Sequence, residues 1–103
     1  METYTTLASR TSPTLMPLTR DADGSITAFV FPNADAAIAY ANSYLQHYND
    51  EWIAETHDRE SMLAWLVSCE SEDNVTLIAA NPDGENPRLM PLALFRAVVG
   101  NAP

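Results

Sequence analysis

The sequence predicts an α/β fold of the α+β type, with a small three- or four-stranded sheet, mainly antiparallel, and two to three helices packed on one face. Three observations lead to this prediction: a β-branched and aromatic segment that follows a turn, apolar residues at helical spacing further along the chain, and one short continuous apolar run between turn sequences. The 103 residues, 47% of them hydrophobic, predict a single domain over 1–103.

The first segments of the chain predict a β-hairpin. Residues 1–12 are rich in Thr and Ser and fit either a loose arm or an edge strand. Residues 14–19 and 25–31 provide the two strands of the hairpin. Residues 21–24 (Asp-Ala-Asp-Gly) form the turn between them, because the glycine can adopt a positive φ. Pro17 has no N–H to donate, and this places the first strand at a sheet edge or at a bulge.

The middle of the chain predicts two helices with a short segment between them. The first helix spans about residues 34–48. Residues 52–56 fit either a strand or a continuation of that helix, and we favour the strand. The second helix spans residues 57–71, with Asp58 as a candidate N-cap. A strand at residues 63–68 is the alternative, because this part of the second helix is strongly apolar.

The last third of the chain predicts a strand and a helix. Residues 75–80 (Val-Thr-Leu-Ile-Ala-Ala) are a continuous apolar run between two turn sequences, which is typical of an inner strand or a strand buried on both faces. Pro91 fits the first turn of a final helix, and Gly100 fits the position just beyond its end. The predicted buried stripe of this helix consists of Leu92, Phe95, Val98 and Val99.

The charge balance is the most unusual property of the sequence. There are 14 acidic residues against 5 basic ones, and the net charge is −9. Such a field repels nucleic acid and anionic membranes, so we predict no direct binding to either. It favours a basic protein surface as partner, and basic protein surfaces are commonly those that hold nucleic acid. The alternative interpretation is that the acidity only keeps the protein soluble.

The acidic residues are concentrated in one part of the chain. Residues 50–85 hold ten of them and only one basic residue, Arg59. Carboxylates pair with arginine as phosphates do, so an acidic face can occupy a groove built for phosphate. The alternative is that these acids cap helices and populate turns. We predict that the partner-binding residues are Asp50, Glu51, Glu55, Asp58, Glu60, Glu70, Glu72, Asp73, Asp83 and Glu85.

No catalytic, cofactor-binding or metal-binding motif is apparent, so we predict a protein that is not an enzyme and needs no cofactor or metal. With 3 glycines the chain has no phosphate-binding loop. His47 and Glu51 are too few ligands for a structural metal site. Cys69 is followed by the acids Glu70, Glu72 and Asp73, which oppose thiolate formation, and it is predicted to be an inert core residue.

The sequence predicts a cytoplasmic protein. A single cysteine excludes an intramolecular disulfide, so nothing indicates an oxidising compartment. The first twenty residues contain no apolar run that resembles a signal peptide. No stretch approaches the roughly 20 apolar residues of a membrane span.

A line of aromatic residues supports an alternative function. Tyr40, Tyr44, Tyr48 and Trp52 fall at spacing four, and we expect most of them to lie in the core. If the line is partly exposed, it supplies anchors of the kind found at interface hot spots. The alternative to the acidic binding protein is therefore a small homodimeric structural or accessory subunit with an apolar-aromatic interface.

In size, charge, lack of catalytic motifs and the acidic segment 50–85, the chain resembles the small acidic inhibitors encoded by phages and mobile elements, and most closely the anti-CRISPR proteins. The resemblance is one of profile and involves no shared motif, so it transfers no residue role. It implies a protein that blocks a basic surface of a CRISPR–Cas complex or of another nucleic-acid-handling complex, as some of these inhibitors do by mimicking DNA. It also implies action in the cytoplasm of a bacterial host.

Overall fold

The computed structural model describes residues 3–11, 16–45, 51–82, 84 and 87–101. Within them the chain forms six strands and three helices. In chain order these are β1 (Tyr4–Ser9), β2 (Leu18–Arg20), β3 (Ile26–Val30), α1 (Ala34–Tyr44), β4 (Trp52–His57), α2 (Arg59–Asp73), β5 (Leu77–Ala80), β6 (Arg88–Pro91) and α3 (Leu92–Gly100).

The strands form two sheets. The larger has the order β2-β3-β5-β6, in which β3 and β5 are parallel and the other two pairs are antiparallel. The smaller is the antiparallel pair β1–β4, and a bridge from Thr5 to Phe31 joins it to the larger sheet just beyond β3. A mixed α and β fold with a four-stranded, mainly antiparallel sheet confirms the predicted fold class.

The predicted hairpin consists of β2 and β3. Gly24 closes its turn with a φ of 91°, and the Asp23 carboxylate accepts a hydrogen bond of 2.9 Å from the backbone N–H of Ser25. β2 is an edge strand, as Pro17 indicated. Residues 14 and 15 of the predicted first strand lie outside the described residues. The N-terminal segment, for which an arm and a strand were both open, forms β1.

Strand β3 divides the core because successive side chains of a strand point to opposite faces. Ala28 and Val30 face a first core cluster that contains residues of α2, β5 and α3. Phe29, together with Phe31 beyond the strand, belongs to a second cluster with Leu7 and the buried residues of α1. The two helices α2 and α3 therefore share one face of the larger sheet, as predicted. Helix α1 packs on the other side, against the β1–β4 sheet, Phe29 of β3 and the adjoining Phe31.

Most boundaries agree with the sequence, and the exceptions have local causes. Residues 52–56 form a strand, β4, which extends to His57, so α2 begins at Arg59 after its N-cap Asp58. The apolar segment 63–68 lies within α2, so its alternative assignment as a strand is wrong. Helix α1 ends at Tyr44, and residues 46–48 of that prediction lie outside the described residues.

The C-terminal third differs from the prediction in several details. Pro91, predicted in the first turn of the final helix, ends β6 and is the N-cap of α3. Strand β6 was not predicted. Gly100 is the last residue of α3, and Asn101 takes the C-cap position. Val98 is 53% exposed and does not lie on the buried stripe, because Leu92, Phe95 and Val99 alone face the core. No helix in the described part of the chain combines the length and apolarity needed to cross a bilayer.

Candidate partner-binding site

Two surfaces face each other where the smaller sheet meets α2. In β4, Glu55 and His57 are two residues apart and therefore project from the same face of the strand. Across the sheet, Thr6 of β1 is the register partner of Glu55. Residues at i, i+4, i+7 and i+11 lie on one face of a helix. In α2 the corresponding stripe consists of Ser61, Trp65, Ser68 and Glu72.

These surfaces enclose a recess of about 180 Å³ with three carboxylates on its wall, which we call the acidic recess. Glu55 contributes from β4, and Glu72 and Asp73 from the last turn of α2. Glu55 and Glu72 are exposed and Asp73 is half-buried. In the part of the chain that the structure describes, none of the three forms an ion pair. The remaining lining residues are Leu7, Ala8, Met16, Trp65 and Ser68.

The structure thus brings together three of the ten predicted partner-binding acids, and four others lie elsewhere. Glu51 forms an exposed ion pair of 3.0 Å with Arg10. Glu70 lies on the flank of α2 that faces α3, with Arg96 at 3.5 Å. Exposed pairs of this kind contribute little to stability. Asp58 and Glu60 lie at the start of α2. The remaining three acids, Asp50, Asp83 and Glu85, fall outside the described residues.

The two acids at the start of α2 fit the alternative interpretation that the acids of this segment cap helices. Asp58 is the N-cap, and its carboxylate accepts a hydrogen bond of 2.8 Å from the backbone N–H of Ser61. Glu60 is exposed in the first turn, where a negative charge complements the helix dipole. The acidic segment is therefore divided between structural positions and the acidic recess.

His57 is a buried titratable residue at this junction, with 9% of its surface exposed. Its Nε2 lies 2.8 Å from the Thr6 hydroxyl, and its Nδ1 lies 2.7 Å from the Ser61 hydroxyl. Desolvation lowers the pKa of the imidazole below its ordinary value, and the nearby carboxylates of Glu55 and Asp58 oppose that shift. The neutral imidazole is consequently the favoured form in the folded protein.

Cys69 is fully buried in the first core cluster, in agreement with the prediction. Burial, together with the negative charge of Asp73, raises the pKa of its thiol to about 12. Its Sγ lies 3.9 Å from the sulfur of Met16. A thiol with so high a pKa is protonated at neutral pH and is a poor nucleophile.

The described residues contain no group of three metal-ligating side chains. His47, considered with Glu51 as a metal-binding pair, lies outside the described residues. The aromatic line is mixed in burial. The Tyr40 ring is half-buried against Phe29, with ring centroids 5.4 Å apart, whereas Tyr44 is 49% exposed. Tyr48 lies outside the described residues, and Trp52 is half-buried.

Sequence analysis missed the residues that complete the recess. Met16, Trp65 and Ser68 were not predicted to be part of a binding site. A signal for the recess was present in two periodicities, the alternation of Glu55 and His57 along a strand and the helical stripe from Ser61 to Glu72. What the sequence did not indicate is that these two surfaces face each other.

Comparison with known proteins adds no identification. No protein-family model matches the chain, and no curated protein is significantly similar to it.

Proposed function

We propose that the chain is a non-enzymatic acidic binding protein that blocks a basic, nucleic-acid-binding surface of a protein complex. The observation that supports this proposal best is the acidic recess, where Glu55, Glu72 and Asp73 converge without a cation of the described chain to neutralise them. The net charge of −9 favours approach to a basic surface and opposes approach to nucleic acid. A CRISPR–Cas effector in a bacterial cytoplasm is one target of this class.

The recess has the size and chemistry to take the head group of an arginine from the partner. A cavity of about 150 Å³ holds a benzene ring, and the recess, at about 180 Å³, admits one flat guanidinium. Carboxylates on its wall accept paired hydrogen bonds from a guanidinium. The half-buried Trp65 beside them offers an aromatic face to the same cation. In this arrangement the carboxylates occupy positions that phosphates take when nucleic acid is bound.

The test begins with capture of a partner from a bacterial lysate at low salt and its release with a salt gradient. The affinity of the recovered complex is then measured for two triple variants of equal charge. The recess variant, Glu55→Gln with Glu72→Gln and Asp73→Asn, is expected to bind at least about tenfold more weakly, a loss of about 1.4 kcal/mol. Its matched control removes three exposed carboxylates outside the acidic segment: Asp21→Asn, Asp23→Asn and Asp35→Asn.

Two further measurements are needed, the salt dependence of binding and competition with DNA. Binding by the wild-type protein should weaken steeply as salt is raised and should compete with DNA for the same complex. Equal weakening of both triple variants would show that only net charge matters and that the acidic recess is not the binding site. Recovery of no nucleic-acid-binding complex at any salt concentration would contradict the proposal itself.

A second candidate function, a small homodimeric accessory subunit, is favoured by a separate observation. Leu94 and Val98 lie one turn apart on the outer side of α3, each 53% exposed, and Leu89 of β6 is 64% exposed. Exposed apolar residues of this kind are common at subunit interfaces. Light scattering should then report a dimer that is insensitive to salt and that Leu94→Gln with Val98→Gln converts to a monomer. A wild-type protein that is monomeric at high concentration would exclude this function.

A further inference from the structure

The imidazole of His57 connects the three elements that enclose the acidic recess. His57 is the last residue of β4, and its ring forms hydrogen bonds with Thr6 of β1 and with Ser61 in the first turn of α2. We infer that His57 is a proton-sensitive link that keeps α2 docked on the β1–β4 sheet, and that its protonation loosens the acidic recess. The link itself follows from the geometry, whereas its consequence for partner binding rests on the proposed function.

The two hydrogen bonds of the His57 ring make this link sensitive to protonation. A neutral imidazole has one donor and one acceptor nitrogen, so one hydroxyl donates to the ring and the other accepts from it. Thr6 is 1% exposed, and His57 is the only hydrogen-bond partner of its hydroxyl in the described chain. Ser61 is exposed and can exchange its bond with water. The favoured arrangement is therefore donation from Thr6 to Nε2 and from Nδ1–H to Ser61.

Protonation removes the acceptor that this arrangement needs. Both ring nitrogens of an imidazolium are donors, so the buried hydroxyl proton of Thr6 loses its partner. An unpaired buried donor and a buried charge are each unfavourable. The energetic penalty falls on the buried imidazole and on its bond to Thr6, at the end of β4 just before α2 begins, and it is relieved when α2 moves away and water reaches the ring.

The groups that face the imidazole do not remove this effect. Two carboxylates on neighbouring positions attract the proton, but desolvation outweighs them and the pKa of His57 is lowered. The groups of β1 and α2 that face the imidazole are a phenol, two hydroxyls and an indole, and none of them is a carboxylate or a cation. The groups concerned are Glu55 and Asp58 on the same segment, Tyr4 and Thr6 of β1, and Ser61 and Trp65 of α2.

The sign of the pH dependence follows from the lowered pKa. In the unfolded chain the imidazole titrates near 6.5, and in the folded chain it takes up its proton at a lower pH. The unfolded or opened chain therefore binds more protons in the interval below pH 6.5. The stabilisation by neutral His57 is complete above that value and is lost as the pH falls below it. Most carboxylates titrate at lower pH and leave this interval to the imidazole.

Hydrogen exchange tests the link without any partner. Between about pH 7.5 and pH 5.5, amides of β1 and of the first turns of α2 should exchange about tenfold faster once the intrinsic pH dependence is removed, while those of β5 change less. The variant His57→Gln, whose amide also offers one donor and one acceptor, should lack this effect. His47→Gln removes the other imidazole of the chain and should behave as the wild type does.

A second measurement covers the case in which His57→Gln fails to fold. The imidazole NMR signal of His57 in the wild-type protein should titrate below the ordinary value, together with signals of Thr6 and Trp65. Titration at or above the ordinary value, or exchange that responds to pH equally in β1 and β5, would overturn the inference.

A nona-arginine peptide serves as the basic probe for binding to the acidic recess. Absence of its binding at every pH would argue against the proposed function while leaving the exchange result intact.

Discussion

Replacement of Phe31 by alanine is expected to lower the free energy of unfolding by about 3–5 kcal/mol. The Phe31 side chain is 2% exposed and packs against the Tyr40 ring, with ring centroids 5.4 Å apart. It fills the second core cluster, where the two sheets and α1 meet, and small neighbours such as Ala37 and Ala41 leave little material to close the cavity. Urea unfolding followed by circular dichroism measures the loss.

The matched control for this prediction is Tyr44→Ala. This ring also stacks on Tyr40, with centroids 4.8 Å apart, but it is 49% exposed and therefore buries less apolar surface. A loss of about 1 kcal/mol or less is expected there. If the two variants were equally destabilised, the second cluster would not depend on Phe31, and the packing of α1 described above would be wrong.

Replacement of Leu66 by alanine should remove about 2–5 kcal/mol from the opposite side of the sheet. Leu66 is fully buried in the first core cluster between α2 and β3. A domain of this size has a total stability of roughly 5–15 kcal/mol, so the variant is expected to unfold several degrees or more below the wild type. The adjacent Val67→Ala is the control, because Val67 is 45% exposed.

Leu66 also bears on the binding site, because α2 carries Glu72 and Asp73. Loosening of the first cluster should weaken both the fold and partner binding, whereas the recess variant should weaken binding alone. A thermal melt of each variant beside its affinity separates the two effects. Similar stability of Leu66→Ala and Val67→Ala would mean that α2 does not pack as described here.

Sequence patterns predicted most of the fold wherever local chemistry decides the structure. The Asp-Ala-Asp-Gly turn has one hairpin geometry, and the apolar run of β5 is bounded by turn sequences, so both were found. Strand β6 was missed because Arg88–Pro91 has little strand propensity and ends in proline. The segment forms a strand because it pairs with β5, with Leu89 opposite Ala79. Such pairing depends on the tertiary structure.

The candidate site was predictable only in part for the same reason. The sequence located the acidic segment but did not indicate which acids converge. Glu70 and Glu72 are close in sequence, yet a rotation of about 200° around the helix directs one to α3 and the other to β4. His57 received little weight because its role depends on Thr6, which is 51 residues away in sequence.

The central position of β3 has a consequence for synthesis of the chain on the ribosome. Its parallel neighbour β5 and the helix α3 that covers the first cluster are made last, after α1, β4 and α2. Until they emerge, Ala28 and Val30 of β3 can pack only against α2 and lack the part of the first cluster that β5 and α3 supply. Such late pairing slows folding and prolongs exposure to aggregation. The nascent chain should therefore gain a protease-resistant structure only after residues 77–99 have left the exit tunnel.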